Sequence, residues 1–440
     1  MNTPIYTFVT RYLESGASRL HMPGHKGRGT LGCEARDITE IAGADELYAA
    51  SGIIAESEMN AAALFGTGAT FYAAEGSSQC VRAMLYLAMV NRADPAGRPV
   101  ALAARNAHKS FLYAAALCDF DVEWLYPAGV GSLCACPVTP EALAARLDAM
   151  AKKPFCVFVT SPDYLGGMQD VRGLSAVCRR YGVPLLVDNA HGAYLRFLPE
   201  SPHPMDLGAD MCCDSAHKTL PVLTGGAYLH VSREADPRFI AGAKAALSLF
   251  GSTSPSWLIL QSLDLCNARL AGDLPAEIAR TVGRVGALKR RLKERGFEVL
   301  DGEPMKLTLR GDGFRLAEDL RRGGVVCEYA DREHVVLMFA PDNPASDCDR
   351  IDAALCVPRP FCGTPAPALP RPARAVSVRQ AVFAPCKDVR VDEAVGRVCA
   401  APTASCPPAV PVAVSGEIVT AEVARALRYY GTEVISVCKE

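Results

Sequence analysis

Between residues 69 and 231 the chain repeats one pattern: a short run of consecutive apolar residues, a polar cluster, then a stretch of helical character. The runs are ATFYAA, PVALAA, PFCVFVT, VPLLVD, ADMCCD and GAYLHV. Their apolar residues are continuous rather than alternating, so these strands must be covered on both faces. SQCVRAMLYLAMV, the segment around 109–118 and RGLSAVCRRYG read as covering helices. The class this permits is α/β, with a mostly parallel sheet as its large layer.

In such sheets ligands bind outside the carboxyl ends of the strands. The first five runs are each followed by a polar cluster: EGSS, RNAHKS, SPDYLGG, DNAHGA and DSAHKT. Five polar loops on one rim are hard to explain by solvation alone and point to a single active site.

Beyond about residue 265 the pattern changes. ARTVGRVGALKRRLKERG reads as a helix, FEVLDG, KLTLRG and HVVLMFAP as strands, and ASDCDRIDAAL as a helix start. The expected organisation is an N-terminal segment (1–60), a large cofactor-binding domain (61–265) and a small α+β domain (266–356). A proline-rich linker (357–375) and a C-terminal domain (376–440) follow. A formal net charge of −2 gives no footprint for nucleic acid. No apolar stretch of about 20 residues suggests a membrane span, and MNTPIYTFVTRYLESGAS has no signal-peptide pattern. The expected location is the cytoplasm. The 18 cysteines are scattered without zinc spacing and read as reduced, small core residues.

The rim loops carry a specific chemistry. Lys218 in DSAHKTL follows a buried-looking strand, and a lysine amine there can hold an aldehyde as a Schiff base. The same loop offers Ser215 and His217 as phosphate donors. Asp188 closes the LLVD run, where a carboxylate is poorly solvated and needs a partner. The ring N–H of pyridoxal phosphate (PLP) is such a partner, and a protonated ring is the electron sink for carbanion chemistry. Gly76, Ser77 and Ser78 lie between a strand and a helix, where backbone N–H groups and the helix dipole favour a phosphate. His108 lies on the neighbouring loop, placed to stack on the ring. Each has an ordinary alternative: a solvated lysine, a helix-capping Asp or Ser, an exposed histidine. Asp188 and Lys218 together, both at strand ends, are the stronger signal.

The set resembles the fold-type-I, PLP-dependent Orn/Lys/Arg decarboxylase family. The matching segments are LHMPGHKG (20–27), DITEIAGADELYAASGII (37–54), AAALFGTGATFYAAEGSSQ, ARNAHKSF, TSPDYLGGMQDV, LLVDNAHGAYLRF, GADMCCDSAHKTLPVLTGGAYLH and GSTSPSWLILQSLD. The resemblance implies a fold-type-I transferase-like large domain with small α+β C-terminal domains. It implies that Lys218 is the Schiff-base lysine, Asp188 the partner of the pyridine nitrogen and His108 the stacked residue. Ser77, Ser78, Ser215 and His217 are implied as cofactor contacts, with Ala190 and His191 beside the ring. Thr253 and Ser254 are implied as phosphate contacts from a second subunit, hence a homodimer or larger. His25 and Lys26 of the HMPGHKG loop are implied near the substrate.

EAVGRVCAAPTASCPPAVPVAVSGEIVT (393–420) is similar to the family's YPPGIPLLxPGE stretch. Cys406 stands at the tyrosine position, Ala409 at the second glycine and Ser415 at a proline, while Glu417 is retained as a substrate-side residue. The chain lacks the long N-terminal extension of the large members and resembles the short form. The implied reaction is decarboxylation of arginine, lysine or ornithine, feeding polyamine metabolism. The alternatives are another PLP reaction on the same fold, such as transamination or a lyase step, and a silent PLP-binding regulatory paralogue. A zinc hydrolase using His21 and His25 lacks a matched third ligand.

Overall fold

In a computed structural model the described residues are 1–127, 131–402 and 408–439. The large sheet contains β1 (Ala69–Ala73), β2 (Val100–Ala104), β3 (Asp121–Leu125), β4 (Cys156–Thr160), β5 (Leu185–Asp188), β6 (Met211–Asp214) and β7 (Ala227–Val231). Its strand order is β1-β7-β6-β5-β4-β2-β3. The helices of this part are α1 (Pro4–Glu14), α2 (Ile53–Phe65), α3 (Ser77–Val90), α4 (Lys109–Cys118), α5 (Pro140–Ala149), α6 (Val171–Tyr181), α7 (Ala216–Thr219), α8 (Pro237–Leu249) and α9 (Trp257–Leu270). β5, β6 and β7 are buried at every residue, as continuous apolar runs require.

The chain divides into two compact units. The first contains residues 1–91, 186–279 and 340–342. In it β5 and β6 pair in parallel, with Asp188 opposite Cys213. β7 runs antiparallel to both β6 and β1. Two antiparallel steps leave β1 parallel to β6, so the turns after β1, β5 and β6 emerge on one rim. Gly225, before β7, has a φ of +102°, and a Cβ there would lie 2.8 Å from Ala74 O. Only glycine lets this backbone meet the β1 turn, where the Gly76 N–H donates to Gly225 O at 2.7 Å.

The first unit also buries a polar network. Asp264 on α9 accepts from the Tyr6 amide of α1 (2.9 Å) and the Ser57 hydroxyl of α2 (2.6 Å). Asn267 donates to the Tyr72 hydroxyl at 2.7 Å. The domain boundaries expected at 60/61 and 265/266 fall inside α2 and α9.

The second unit contains residues 92–185, 280–339 and 343–440. β2 pairs in parallel with β3 and β4. After α10 (Leu274–Glu294) comes a four-stranded antiparallel sheet of β8 (Glu298–Val299), β9 (Lys306–Arg310), β10 (Tyr329–Ala330) and β11 (His334–Met338). Its helices are α11 (Gly313–Arg322) and α12 (Ser346–Ala354). The chain then forms α13 (Val378–Phe383), β12 (Cys386–Arg390), α14 (Ala421–Tyr429) and β13 (Val434–Cys438), with β12 and β13 antiparallel. Val391, Val412, Val423, Leu427, Ile435 and Val437 are among the buried residues of a core cluster here.

Candidate active site

Three turns of the first unit place the predicted side chains. β5 ends at Asp188, and the 3–10 segment Ala193–Phe197 follows after a tight turn. β6 ends at Asp214, and α7 follows directly with Lys218 on its single turn. Because β5 and β6 are adjacent and parallel, their ends present Asp188 and Lys218 to one another. Lys218 Nζ lies 2.9 Å from His191 Nε2. Asp188 Oδ1 accepts from the Ala190 amide at 3.1 Å and from the Cys213 thiol at 3.6 Å. Burial pushes the Asp188 carboxyl up, while the Lys218 charge favours its ionised form.

The β1 turn supplies a third element. Gly76 is the N-cap of α3 with φ +73°, and no side chain caps this helix. Its first-turn N–H groups therefore keep the anion-binding character of a helix N-terminus. Ser215 Oγ donates to Ser77 Oγ at 2.7 Å, joining the β6 turn to this cradle. His217 Nδ1 donates to Gly226 O at 2.9 Å, and burial holds its pKa down. The structure thus brings together Gly76, Ser77, Ser78, Asp188, Ala190, His191, Ser215, His217 and Lys218 in one unit.

This donor set fits PLP. It offers a primary amine, a buried carboxylate at the adjacent strand end, and an uncapped helix N-terminus with hydroxyls beside it. Those are the partners that an aldehyde, a ring nitrogen and a phosphate require.

The remaining predicted residues make contacts of their own. His25 Nδ1 accepts from the Gly27 amide at 3.0 Å and Nε2 is 3.2 Å from Asp37; Lys26 donates to His21 O. Thr253 and Ser254 are exposed, in a loop whose Ser252 amide donates to Glu75 on the β1 turn. His108 belongs to the second unit as N-cap of α4, with Nδ1 2.8 Å from the Ser110 hydroxyl. Cys406 lies outside the described residues.

Glu417 is buried in the second unit. Its carboxylate accepts from the Val414 amide at 2.9 Å, and burial pushes its pKa up against the pull of Arg105. Arg105, 1% exposed, donates to Pro411 O (2.8 Å) and Val412 O (2.9 Å). The Lys109 amide donates to Ala409 O at 2.9 Å. The proline-rich stretch is thereby fastened to the loop that carries His108.

Sequence reasoning missed the support behind the pair. Asp214 is fully buried; Oδ2 lies 3.0 Å from His203 Nε2 and 3.2 Å from His230 Nε2, and Oδ1 accepts from Asn189 Nδ2 at 2.6 Å. Burial opposes ionisation, but the two imidazoles outweigh it and hold the Asp214 carboxyl below its usual range. The three side chains have the composition of a metal site. However, the Met205 amide points at His203 Nδ1 (3.3 Å), so Nε2 carries the proton and donates to the carboxylate. A metal-ligating imidazole has the reverse arrangement. The signal in the sequence was a second aspartate, Asp214, closing the strand next to the one that Asp188 closes.

The Orn/Lys/Arg decarboxylase major-domain profile matches residues 3–305. The chain belongs to this decarboxylase family. The arginine decarboxylase of Bacillus subtilis (strain 168) is 27% identical over 464 residues, covering 96% of this chain and 92% of that one. The E. coli constitutive lysine decarboxylase has the same fold, with a TM-score of 0.79 and 18% identity over 100% of this chain and 82% of that one. A structure of SPT with PLP aligns with a TM-score of 0.55 and 13% identity over 81% of this chain and 84% of that one. The fold is therefore the fold-type-I architecture of PLP enzymes, and this decarboxylase-family chain is an amino-acid decarboxylase, a lyase.

Proposed function

We propose that the chain decarboxylates a basic amino acid, arginine, lysine or ornithine, with PLP carried on Lys218. The carrying observation is the Lys218–His191 contact beside buried Asp188, in a member of a family named for these three substrates. Arginine is favoured, because the arginine decarboxylase from Bacillus matches nearly end to end.

When bound, PLP supplies the electron sink that accepts the electrons of the Cα–carboxylate bond. The chain's residues do the rest. Asp188 holds the proton on the ring nitrogen, at an energetic advantage because its own charge is otherwise buried. Ser77, Ser78, Ser215, His217 and the N–H groups of α3 hold the phosphate. His108 would stack on the ring, as the family resemblance implies. His191 takes and returns a proton at Lys218 Nζ, the atom it contacts. Ala190, 8% exposed, would pack beside the ring. His25, Lys26 and Glu417 are assigned to the substrate side. Thr253 and Ser254 reach the phosphate of a second copy, so the working form is a homodimer or larger. The side chains assigned to PLP all lie within the span 61–265 expected for the cofactor domain. No helix among the described residues is long and apolar enough to cross a membrane, and the assigned location is the cytoplasm.

The test is to load the protein with PLP, reduce it with borohydride and map the modified peptide. Label on Lys218 alone supports the reading; label elsewhere, or none, contradicts it.

A further inference from the structure

The end of the chain sets two thiols face to face. β12 and β13 pair antiparallel with Cys386 directly opposite Cys438. One step further along, the Lys439 amide donates to Pro385 O at 2.8 Å, whereas the Cys438 amide turns away to Val398 O at 2.9 Å. Antiparallel ladders alternate between hydrogen-bonded and non-hydrogen-bonded pairs, so Cys386–Cys438 is the non-hydrogen-bonded kind. In such pairs the Cα atoms stand about 4.5 Å apart and the side chains lie closest. A disulfide spans Cα separations of roughly 4.4–6.8 Å.

Side-chain direction agrees. Ile435 and Val437 are buried in the core cluster, so Ser436 and Cys438 share the outward face of β13. On that face Ser436 hydrogen-bonds Asp388 of β12, two residues from Cys386. Cys386 is exposed and Cys438 half-buried, so both are within reach of a small reagent. Burial, then the neighbouring Cys386 thiol, push the Cys438 pKa up. Cys386, the more exposed of the two, is the thiol that reacts first.

We propose that Cys386 and Cys438 are a modification site that closes to an intrachain disulfide by exchange with a small-molecule disulfide such as oxidised glutathione. The Cys386 thiolate attacks one sulfur of the oxidant and expels one thiolate. Cys438 loses its proton to solvent, attacks the mixed disulfide at the Cys386 sulfur and expels the second thiolate. The two protein thiols give up two protons and two electrons; the small disulfide is reduced to two thiols. The bond ties the last strand of the chain to β12 and encloses α14 in the closed loop, which restricts the unfolded chain. The site does not depend on the cofactor reading.

The full-length protein is incubated in oxidised glutathione, quenched in acid, alkylated and digested with trypsin without reduction. The expected product joins QAVFAPCK (380–387) to YYGTEVISVCK (429–439), two hydrogens lighter than the sum of the two peptides, and dithiothreitol removes it. Cys386→Ser abolishes it and leaves Cys438 alkylated, while Cys356→Ser, at an exposed thiol outside the β12–β13 ladder, leaves it intact. An unchanged melting temperature of reduced Cys386→Ser shows that its fold is retained. Cys386 found only as a glutathione adduct, or joined to other cysteines as often as to Cys438, overturns the proposal.

Discussion

At the residue scale, the site is a set of side chains whose environments were chosen by adjacent strand ends. Asp188 offsets its burial through Lys218, the Ala190 amide and the Cys213 thiol, and a bound ring N–H would add to them. On the proposed reading, Asp188→Asn keeps the shape and removes the charge that would hold the ring proton. Turnover falls by on the order of 100-fold or more, measured as kcat under saturating PLP, while PLP still attaches to Lys218. Asp214 is a different case, because its carboxylate only accepts. Asp214→Asn turns an amide N–H toward the N–H of His203 or His230 and loses a buried charge that three donors satisfy. A cost of about 3–5 kcal/mol is expected, read as a lower urea midpoint. Lys218, Asp188 and the EGSS turn were legible in the sequence because strand, polar turn and helix follow one another without interruption. Asp214 was not, since nothing local says that His203 and His230, on either side of it in sequence, fold back onto one carboxylate.

At the element scale, legibility followed burial. The six runs read as strands are continuous and apolar, and each forms a strand of the large sheet. β3 escaped because it is an edge strand, paired only with β2, and its DVEWL pattern mixes two acids with three apolar residues. β12 escaped for a related reason: CKDVR is mostly exposed in a two-stranded ladder. α1 and α2 escaped as well, although α1 is fixed to α9 through Asp264. That joint has a pH signature. Burial raises Asp264 from 3.8 to about 6. Between those values the folded state holds a proton that the unfolded state has lost, so this group's stabilisation is complete below about pH 4 and is lost as pH rises through 6. Asp264→Asn removes that slope. Unfolding free energies measured from pH 4 to 7 are expected to shift in favour of the variant as pH rises, by on the order of 2–3 kcal/mol in total; a constant difference would contradict the assignment.

At the scale of the whole molecule, the two compact units are each built from discontinuous stretches of chain, which a reading of consecutive segments cannot anticipate. The exposed Thr253–Ser254 loop is assigned to a second copy on the family resemblance. If it completes the site of a second copy, two inactive proteins should repair one another. Lys218→Ala and the double variant Thr253→Ala/Ser254→Ala, mixed in equal amounts and allowed to exchange, should regain about a quarter of the wild-type sites, as random dimers predict. No recovery, with exchange shown by mass, would confine each site to one chain.

The most direct test of the central claim is an end-point assay of the purified protein with PLP, offered arginine, lysine and ornithine separately, with the amine products identified by mass. The account predicts agmatine, cadaverine or putrescine from at least one of them, arginine foremost, and none from Lys218→Ala. A protein that turns yellow with PLP yet releases no amine from any of the three would contradict it.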